Sequence, residues 1–254
     1  ALTRYDVGQP VHRTEDPVLL RGEGTYTDDV NEPGQAYAWI VRSPYPHGIL
    51  RNIDASAARA MPGVIAVYTG RDLAHYGTHK CVPALNNRDG TPMLKPPRPS
   101  LPTDKVRFVG DPVAYVVAET QMQARDAAEA VELDIEPLPS VTLASDAVKP
   151  GAPLVFDEVP GNTAVDFHYG DAEKVAAAFA AAHLVVRMPL RNTRVVIAPL
   201  EPRAALCRYD AASERFTFVL SGQGVFPMKG QLADLLRVPP EKIRVLTHRV
   251  GGSF

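Results

Sequence analysis

Strand-like and helix-like segments alternate along this chain, and that alternation restricts the possible fold more than any other feature. Between about residues 20 and 140, short runs rich in β-branched and aromatic residues alternate with alanine-rich runs, and Gly or Pro separates many of them. QAYAWIVRS and VIAVYTG are typical of strands, whereas DASAARA is typical of a short helix capped by Asp54. This order of elements forms an α/β or α+β layer. We therefore predict one such domain over residues 20–140.

The remainder of that domain follows the same pattern. RDLAHYG predicts a short helix, and the proline-rich residues 77–104 predict a long loop. VRFVGDPVAYVVAE predicts two strand pieces around a Gly-Asp-Pro turn. Thr120 can cap the following helical segment, which runs into a strand that ends at EPLPSV.

The other segments predict an N-terminal arm, a linker and a second unit. Residues 1–19 are polar and aperiodic, which predicts an extended arm, and residues 141–162 are punctuated by Pro and Gly, as linkers are. Over residues 163–254 we predict strands at NTAVDFHYG, HLVVRMPLRN, VVIAPLEPRAALCRYD, ERFTFVLS and KIRVLTH, with helices at DAEKVAAAFAAA, capped by Asp171, and after GQG. The predicted fold class of the chain is α+β.

Composition excludes several classes of protein. The 254 residues carry a formal net charge of −2, so nothing indicates a basic surface for nucleic acid. No apolar run approaches the ~20 residues of a membrane helix, so we expect no membrane partner. Cys81 and Cys207 are the two cysteines. That number fits a reducing, cytoplasmic location and is too small for an iron–sulfur cluster held by this chain alone.

Two glycine segments near the C-terminus are the best candidates for a ligand site. Gly222 and Gln223 follow the ERFTFVLS strand and precede a helix, where free N–H groups and a neutral amide suit an anionic or oxo ligand. Gly251 and Gly252 follow the KIRVLTH strand. If one helix connects two parallel strands, both segments lie at the same edge of the sheet, where ligands bind. Taken singly, the first segment is better interpreted as a helix-capping turn and the second as an ordinary glycine turn; together they indicate a ligand site.

Other candidate sites are weaker. The sequence contains no phosphate-binding GxxxxGK[ST] loop and no HExxH zinc motif. The histidines are scattered, and His47, His168 and His183 are better interpreted as structural or surface residues than as metal ligands.

The sequence resembles the molybdenum-binding subunit of the xanthine dehydrogenase/aldehyde oxidase family over nearly its whole length. APLEPRAALCRYD is similar to the start of the family's cofactor-binding region, with Leu200 where Met is common. The segments that resemble the family's α/β hammerhead domain are, in order, GEGTYTDDV, YAWIVRSPYPHGIL, IDASAARAMPGVIAVYTGRDL, VRFVGDPVAYVVAET and ARDAAEAVELDIEPLP.

The resemblance also implies the site residues. Gln223 corresponds to a family glutamine beside the molybdenum oxo group or the pterin. GGSF corresponds to the family's glycine loop, with Ser253 at the third glycine, and implies that Gly251, Gly252 and Phe254 lie at the cofactor. No side chain of this chain is expected to ligate molybdenum directly or to act as a catalytic base.

What the resemblance implies is a molybdenum hydroxylase, which hydroxylates an aldehyde or N-heterocycle with oxygen from water. The expected cofactor is molybdopterin-type, in the cytosine dinucleotide form, with iron–sulfur and FAD groups on partner chains. A carbon monoxide-oxidising member would need a copper-binding cysteine loop, which Cys81 and Cys207 do not display. The family's subunit is longer, so we expect the remaining part of the molybdenum subunit, an iron–sulfur subunit and a FAD subunit as partners, and no activity from this chain alone.

The alternative is a non-catalytic assembly or binding module with a hammerhead fold.

Overall fold

Residues 12–193 and 195–252 are described by the computed structural model. These residues mix helices and strands, so the predicted α+β class is confirmed. They divide into two compact units: a larger one of residues 34–193 with 235–237, and a smaller one of residues 12–33, 195–234 and 238–252. The division predicted from the sequence, with boundaries at 20, 141 and 163, stays a prediction.

The elements fall close to the predicted segments in most of the chain. The helices are α1 (Asp16–Leu20), α2 (Ser56–Arg59), α3 (Gln121–Glu129), α4 (Ala144–Ala147), α5 (Ala172–Ala181) and α6 (Val225–Leu236), with 3-10 turns at Thr27–Asp29, Pro160–Asn162 and Pro240–Lys242. The strands are β1 (Tyr37–Arg42), β2 (Gly48–Asp54), β3 (Val64–Thr69), β4 (Lys105–Val106), β5 (Pro112–Ala118), β6 (Glu132–Pro137), β7 (Ala205–Asp210), β8 (Arg215–Leu220) and β9 (Ile243–Leu246).

Two three-stranded antiparallel sheets form the larger unit. In one, β5 lies between β1 and β3; in the other, β2 lies between β4 and β6. Helix α3 packs against β1 and β5. The core between these elements is made of small and β-branched side chains, and Val106, Val113, Val116 and Ala127 are completely buried.

Helix caps appear where the sequence predicts them. The Thr120 hydroxyl accepts a hydrogen bond from the Gln123 N–H at 3.2 Å, and the Asp171 carboxylate accepts one from the Lys174 N–H at 3.0 Å. Both residues satisfy N–H groups that have no partner within the helix. Asp54 acts similarly, because it accepts from the Ser56 N–H at the start of α2, although Ala55 occupies the cap position itself.

Several predicted elements are wrong. NTAVDFHYG and HLVVRMPLRN contain no strand, and of VVIAPLEPRAALCRYD only β7 forms one among the described residues. A strand needs a continuous ladder of backbone hydrogen bonds to a partner strand. Ala164 and Asp166 accept single bonds from the Leu94 and Arg88 N–H groups, but these bonds do not continue into a ladder among the described residues. RDLAHYG forms successive turns rather than a helix: the N–H groups of Asp72, Ala74 and Tyr76 each donate to the carbonyl three residues earlier. In the predicted extended arm, α1 occupies residues 16–20.

The smaller unit is built on the sheet β7-β8-β9. Central β8 pairs antiparallel with β7 and parallel with β9, from Phe216 opposite Ile243 to Val219 opposite Leu246. Helix α6 makes the crossover that a parallel pair requires. Val219 of β8, Ala233 of α6 and Ile243 of β9 are buried. No helix in the described part of the chain is long and apolar enough to cross a membrane.

Candidate functional site

The parallel pairing of β8 and β9 brings the two predicted glycine segments to one edge of the sheet. Both strands run in the same direction, so their C-terminal ends, Leu220 and Leu246, lie side by side. Gly222 and Gln223 follow the first strand, and Gly251 and Gly252 follow the second. Phe254 and Ser253 lie outside the described residues.

The two segments border one open cleft of about 720 Å³. This volume is within the range of small-molecule and cofactor sites, roughly 300–1,000 Å³. Residues 195–203 form the facing wall, and Glu201 and Arg203 supply its charged side chains. The other lining residues are Ser221, Gly222, Gln223, Val250 and Gly252, together with Val195, Val196, Ile197, Pro199 and Pro202.

Gln223 is exposed in this cleft and free to meet a ligand. Its side-chain amide makes no hydrogen bond to any described residue, so among those residues it does not serve as a cap for α6. Because α6 begins at Val225, the backbone around Gly222 and Gln223 also lies at the positive end of a helix of 12 residues. This position offers neutral hydrogen-bond donors and a partial positive charge.

Glu201 holds the second glycine segment through its backbone. Its Oε2 accepts a hydrogen bond from the Gly251 N–H at 2.7 Å, and its own N–H donates to the Gly251 carbonyl at 3.3 Å. The other carboxylate oxygen, Oε1, accepts from the Thr27 N–H at 3.2 Å. A Cβ atom at position 251 would overlap the Glu201 Cβ, so only glycine permits this approach.

The two charged side chains of the cleft differ in availability. The Glu201 carboxylate is engaged by two N–H groups, whereas the Arg203 guanidinium is exposed and makes no ion pair or hydrogen bond with the described residues. The Arg203 guanidinium is therefore available to an anionic ligand. Gly252 has a φ of 148°, a conformation open mainly to glycine, and leaves its backbone accessible.

The remaining candidates from the sequence lie elsewhere. His47 is buried and its Nδ1 lies 3.0 Å from the Pro139 carbonyl oxygen, so it is structural, and His168 and His183 are exposed. Cys81 and Cys207 are unpaired. Across residues 12–193 and 195–252, no group of three or more His, Cys, Asp or Glu side chains converges as a metal site would.

Sequence reasoning missed the roles of Glu201 and Arg203. Both belong to the LEPR segment that carries part of the family resemblance, but nothing in that segment assigned them a place at the site. The link from Glu201 to Gly251 spans 50 positions and the link to Thr27 spans 174, so no local pattern could have indicated either.

Comparison with known proteins finds two family models that match successive parts of the chain. Residues 21–139 match the family model described as aldehyde oxidase and xanthine dehydrogenase, a/b hammerhead domain. Residues 155–254 match the molybdopterin cofactor-binding domain. The cleft residues from 195 onward fall within the second match.

Among curated relatives, the chain is 35% identical to the nicotine 6-hydroxylase large subunit of Paenarthrobacter nicotinovorans, over 100% of this chain and 30% of that protein. It is 32% identical to the carbon monoxide dehydrogenase large chain of Hydrogenophaga pseudoflava, over 94% of this chain and 30% of that one. The chain thus spans about 30% of the length of these relatives.

A solved structure confirms the likeness in three dimensions. Quinoline 2-oxidoreductase from Pseudomonas putida 86 superimposes with a TM-score of 0.84 at 30% identity, over 96% of this chain and 30% of the other. The hammerhead match, the cofactor-domain match and this superposition together account for nearly every described residue. The chain belongs to the xanthine dehydrogenase/aldehyde oxidase family, in whose molybdenum-binding subunit it corresponds to the hammerhead domain and the first part of the molybdopterin-binding domain.

Proposed function

We propose that this chain is part of a molybdenum hydroxylase and contributes one part of the pocket for a molybdopterin-type cofactor. The observation that carries the proposal is the meeting of Gly222-Gln223 and Gly251-Gly252 at one edge of the β7-β8-β9 sheet, around the 720 Å³ cleft. The cofactor, in its cytosine dinucleotide form, would supply the redox chemistry that hydroxylates an aldehyde or an N-heterocycle with oxygen from water.

The residues of the cleft fit such a group. The Gln223 amide would donate a hydrogen bond to an oxo or pterin oxygen without placing a full charge beside it. The backbone at Gly252 is open to close approach, and Arg203 supplies positive charge for an anionic part of the cofactor. We assign Phe254, which lies outside the described residues, to the border of the substrate entry.

Exposed apolar side chains support an assembly with further protein. Between residues 184 and 200 the large hydrophobic side chains are open to solvent, and Leu190, Val196 and Leu200 are 83%, 92% and 98% exposed. Patches of this kind mark interaction surfaces. We propose that they meet the remaining part of the molybdenum subunit, and that iron–sulfur and FAD subunits complete the electron path. We place the assembly in the cytoplasm, because both cysteines are unpaired.

Replacement of Gln223 in the assembled enzyme tests the proposal. Loss of a buried hydrogen bond costs about 1–3 kcal/mol, so Gln223→Ala should lower molybdenum content or turnover by about 10- to 100-fold while the enzyme stays folded. Gln231→Ala is the matched control, because Gln231 is an exposed glutamine on α6 that does not line the cleft.

Two results would contradict the proposal. One is a Gln223→Ala enzyme with unchanged molybdenum content and turnover. The other is a protein that purifies from its own host within a complex but contains neither molybdenum nor pterin, which would favour the non-catalytic assembly module instead.

A further inference from the structure

The Glu201 side chain contacts two parts of the smaller unit that are far apart in sequence, the loop after β9 and the Thr27–Asp29 turn. The Gly251 N–H and the Thr27 N–H, 2.7 and 3.2 Å away, bind different oxygens of its carboxylate. The Thr27–Asp29 turn is itself buried at Thr27, which is 2% exposed. The carboxylate therefore joins the loop after β9 to a fixed turn near the N-terminus.

The two oxygens of a carboxylate suit both of these contacts. Each backbone N–H needs an acceptor, and a carboxylate presents two acceptor oxygens. Such charge-assisted hydrogen bonds are shorter and stronger than neutral ones. A glutamine of the same shape has one oxygen and one NH2 group, so it would leave one of the two N–H groups facing another donor.

We propose that Glu201 is a positioning residue that holds the Gly251-Gly252 backbone at the edge of the cleft by bracing it against the Thr27 turn. Its third contact, from its own N–H to the Gly251 carbonyl, engages the other backbone polar group of the same glycine. Because each carboxylate oxygen accepts a backbone N–H, the side chain orients the loop. The consequence for cofactor binding rests on the function proposed above.

The test uses the assembled enzyme and the isosteric substitution Glu201→Gln. Amide exchange is followed by mass spectrometry in peptides that contain Gly251 and Thr27. We expect exchange to accelerate about tenfold or more in both the Gly251 segment and the Thr27 segment. Helix α3 should exchange at its original rate. Glu241→Gln is the control, because Glu241 is exposed in the same unit and should change neither segment.

The second measurement is molybdenum content per protein, which should fall in Glu201→Gln and not in Glu241→Gln. Unchanged exchange at both segments overturns the brace, and so does acceleration spread equally over α3, which would mean global destabilisation. If the unsubstituted enzyme contains no molybdenum, the proposed function fails, but the exchange result still decides whether the brace exists.

Discussion

Glu201 and Gln223 border the same cleft and differ in what their side chains already bind. The carboxylate of Glu201 is occupied by two backbone N–H groups, whereas the amide of Gln223 has no partner among the described residues. A satisfied, half-buried acceptor stabilises structure, and an exposed unsatisfied donor at a cleft is available for a ligand. In the proposed function, Glu201 would hold the site and Gln223 would contact the cofactor.

Asp111 gives a pH-dependent prediction at the residue scale. Burial raises the pKa of the Asp111 carboxyl above the ordinary 3.8. The hydrogen bond from the Arg107 N–H and the charges of Arg107 and Arg98 lower this pKa, but burial outweighs them. A raised folded-state pKa means that the protein is relatively more stable below the unfolded pKa and loses that stability as pH rises through the folded value.

Asp111→Asn removes this titration and keeps an oxygen that can accept from Arg107. We expect the melting temperature of the variant, relative to the unsubstituted protein, to rise between pH 4 and pH 7. Thermal unfolding at several pH values measures the difference, with Asp126→Asn on the exposed side of α3 as the control. A difference that is flat or falls with pH would show that burial does not dominate at this carboxyl.

At the scale of elements, the sequence predicts helices better than isolated strands. The caps at Thr120 and Asp171 are local signals, and both helices begin where those residues indicate. Strands also depend on a partner strand: β8 and β9 pair with each other, whereas residues 163–170 and 183–192, which the sequence predicts as strands, form none. The parallel pair that builds the candidate site was predictable from the strand–helix–strand order, but the brace from Glu201 was not.

Thr120→Ala tests how far one cap determines its element. The Thr120 hydroxyl satisfies the Gln123 N–H, and loss of such a cap costs about 1 kcal/mol. If local opening governs exchange, the first turn of α3 should exchange about fivefold faster. Thr120→Ser keeps the hydroxyl and should stay close to the original rate. Equal exchange in the Ala and Ser variants would mean that packing of the buried Ala124, Ala127 and Ala128 alone holds the helix.

At the scale of the whole molecule, two irregular segments differ in how they are held. Within residues 141–162, Asn162 bonds to the carbonyls of Ala147 and Pro153, and Asp157 pairs with Lys105 at 2.6 Å. The described residues of 183–200 contain no helix or strand and expose most of their apolar side chains. The first segment is tied to the larger unit, and the second offers a surface that further protein would cover.

Limited proteolysis with thermolysin, which cuts beside large apolar residues, distinguishes these segments. In the 254 residues expressed alone, we expect the first cut within 183–200 and no hydroxylase turnover, because the apolar surface and the open cleft lack their covering. In the assembled enzyme the proposed covering would bury that surface, so cleavage there should stop and the earliest cut should move to the predicted linker, 141–162, where Val148 is 60% exposed. If thermolysin first cuts within 183–200 in both the isolated 254 residues and the assembled enzyme, that result would contradict the proposed covering. Turnover by the 254 residues alone would contradict the proposal that the chain supplies only part of the pocket.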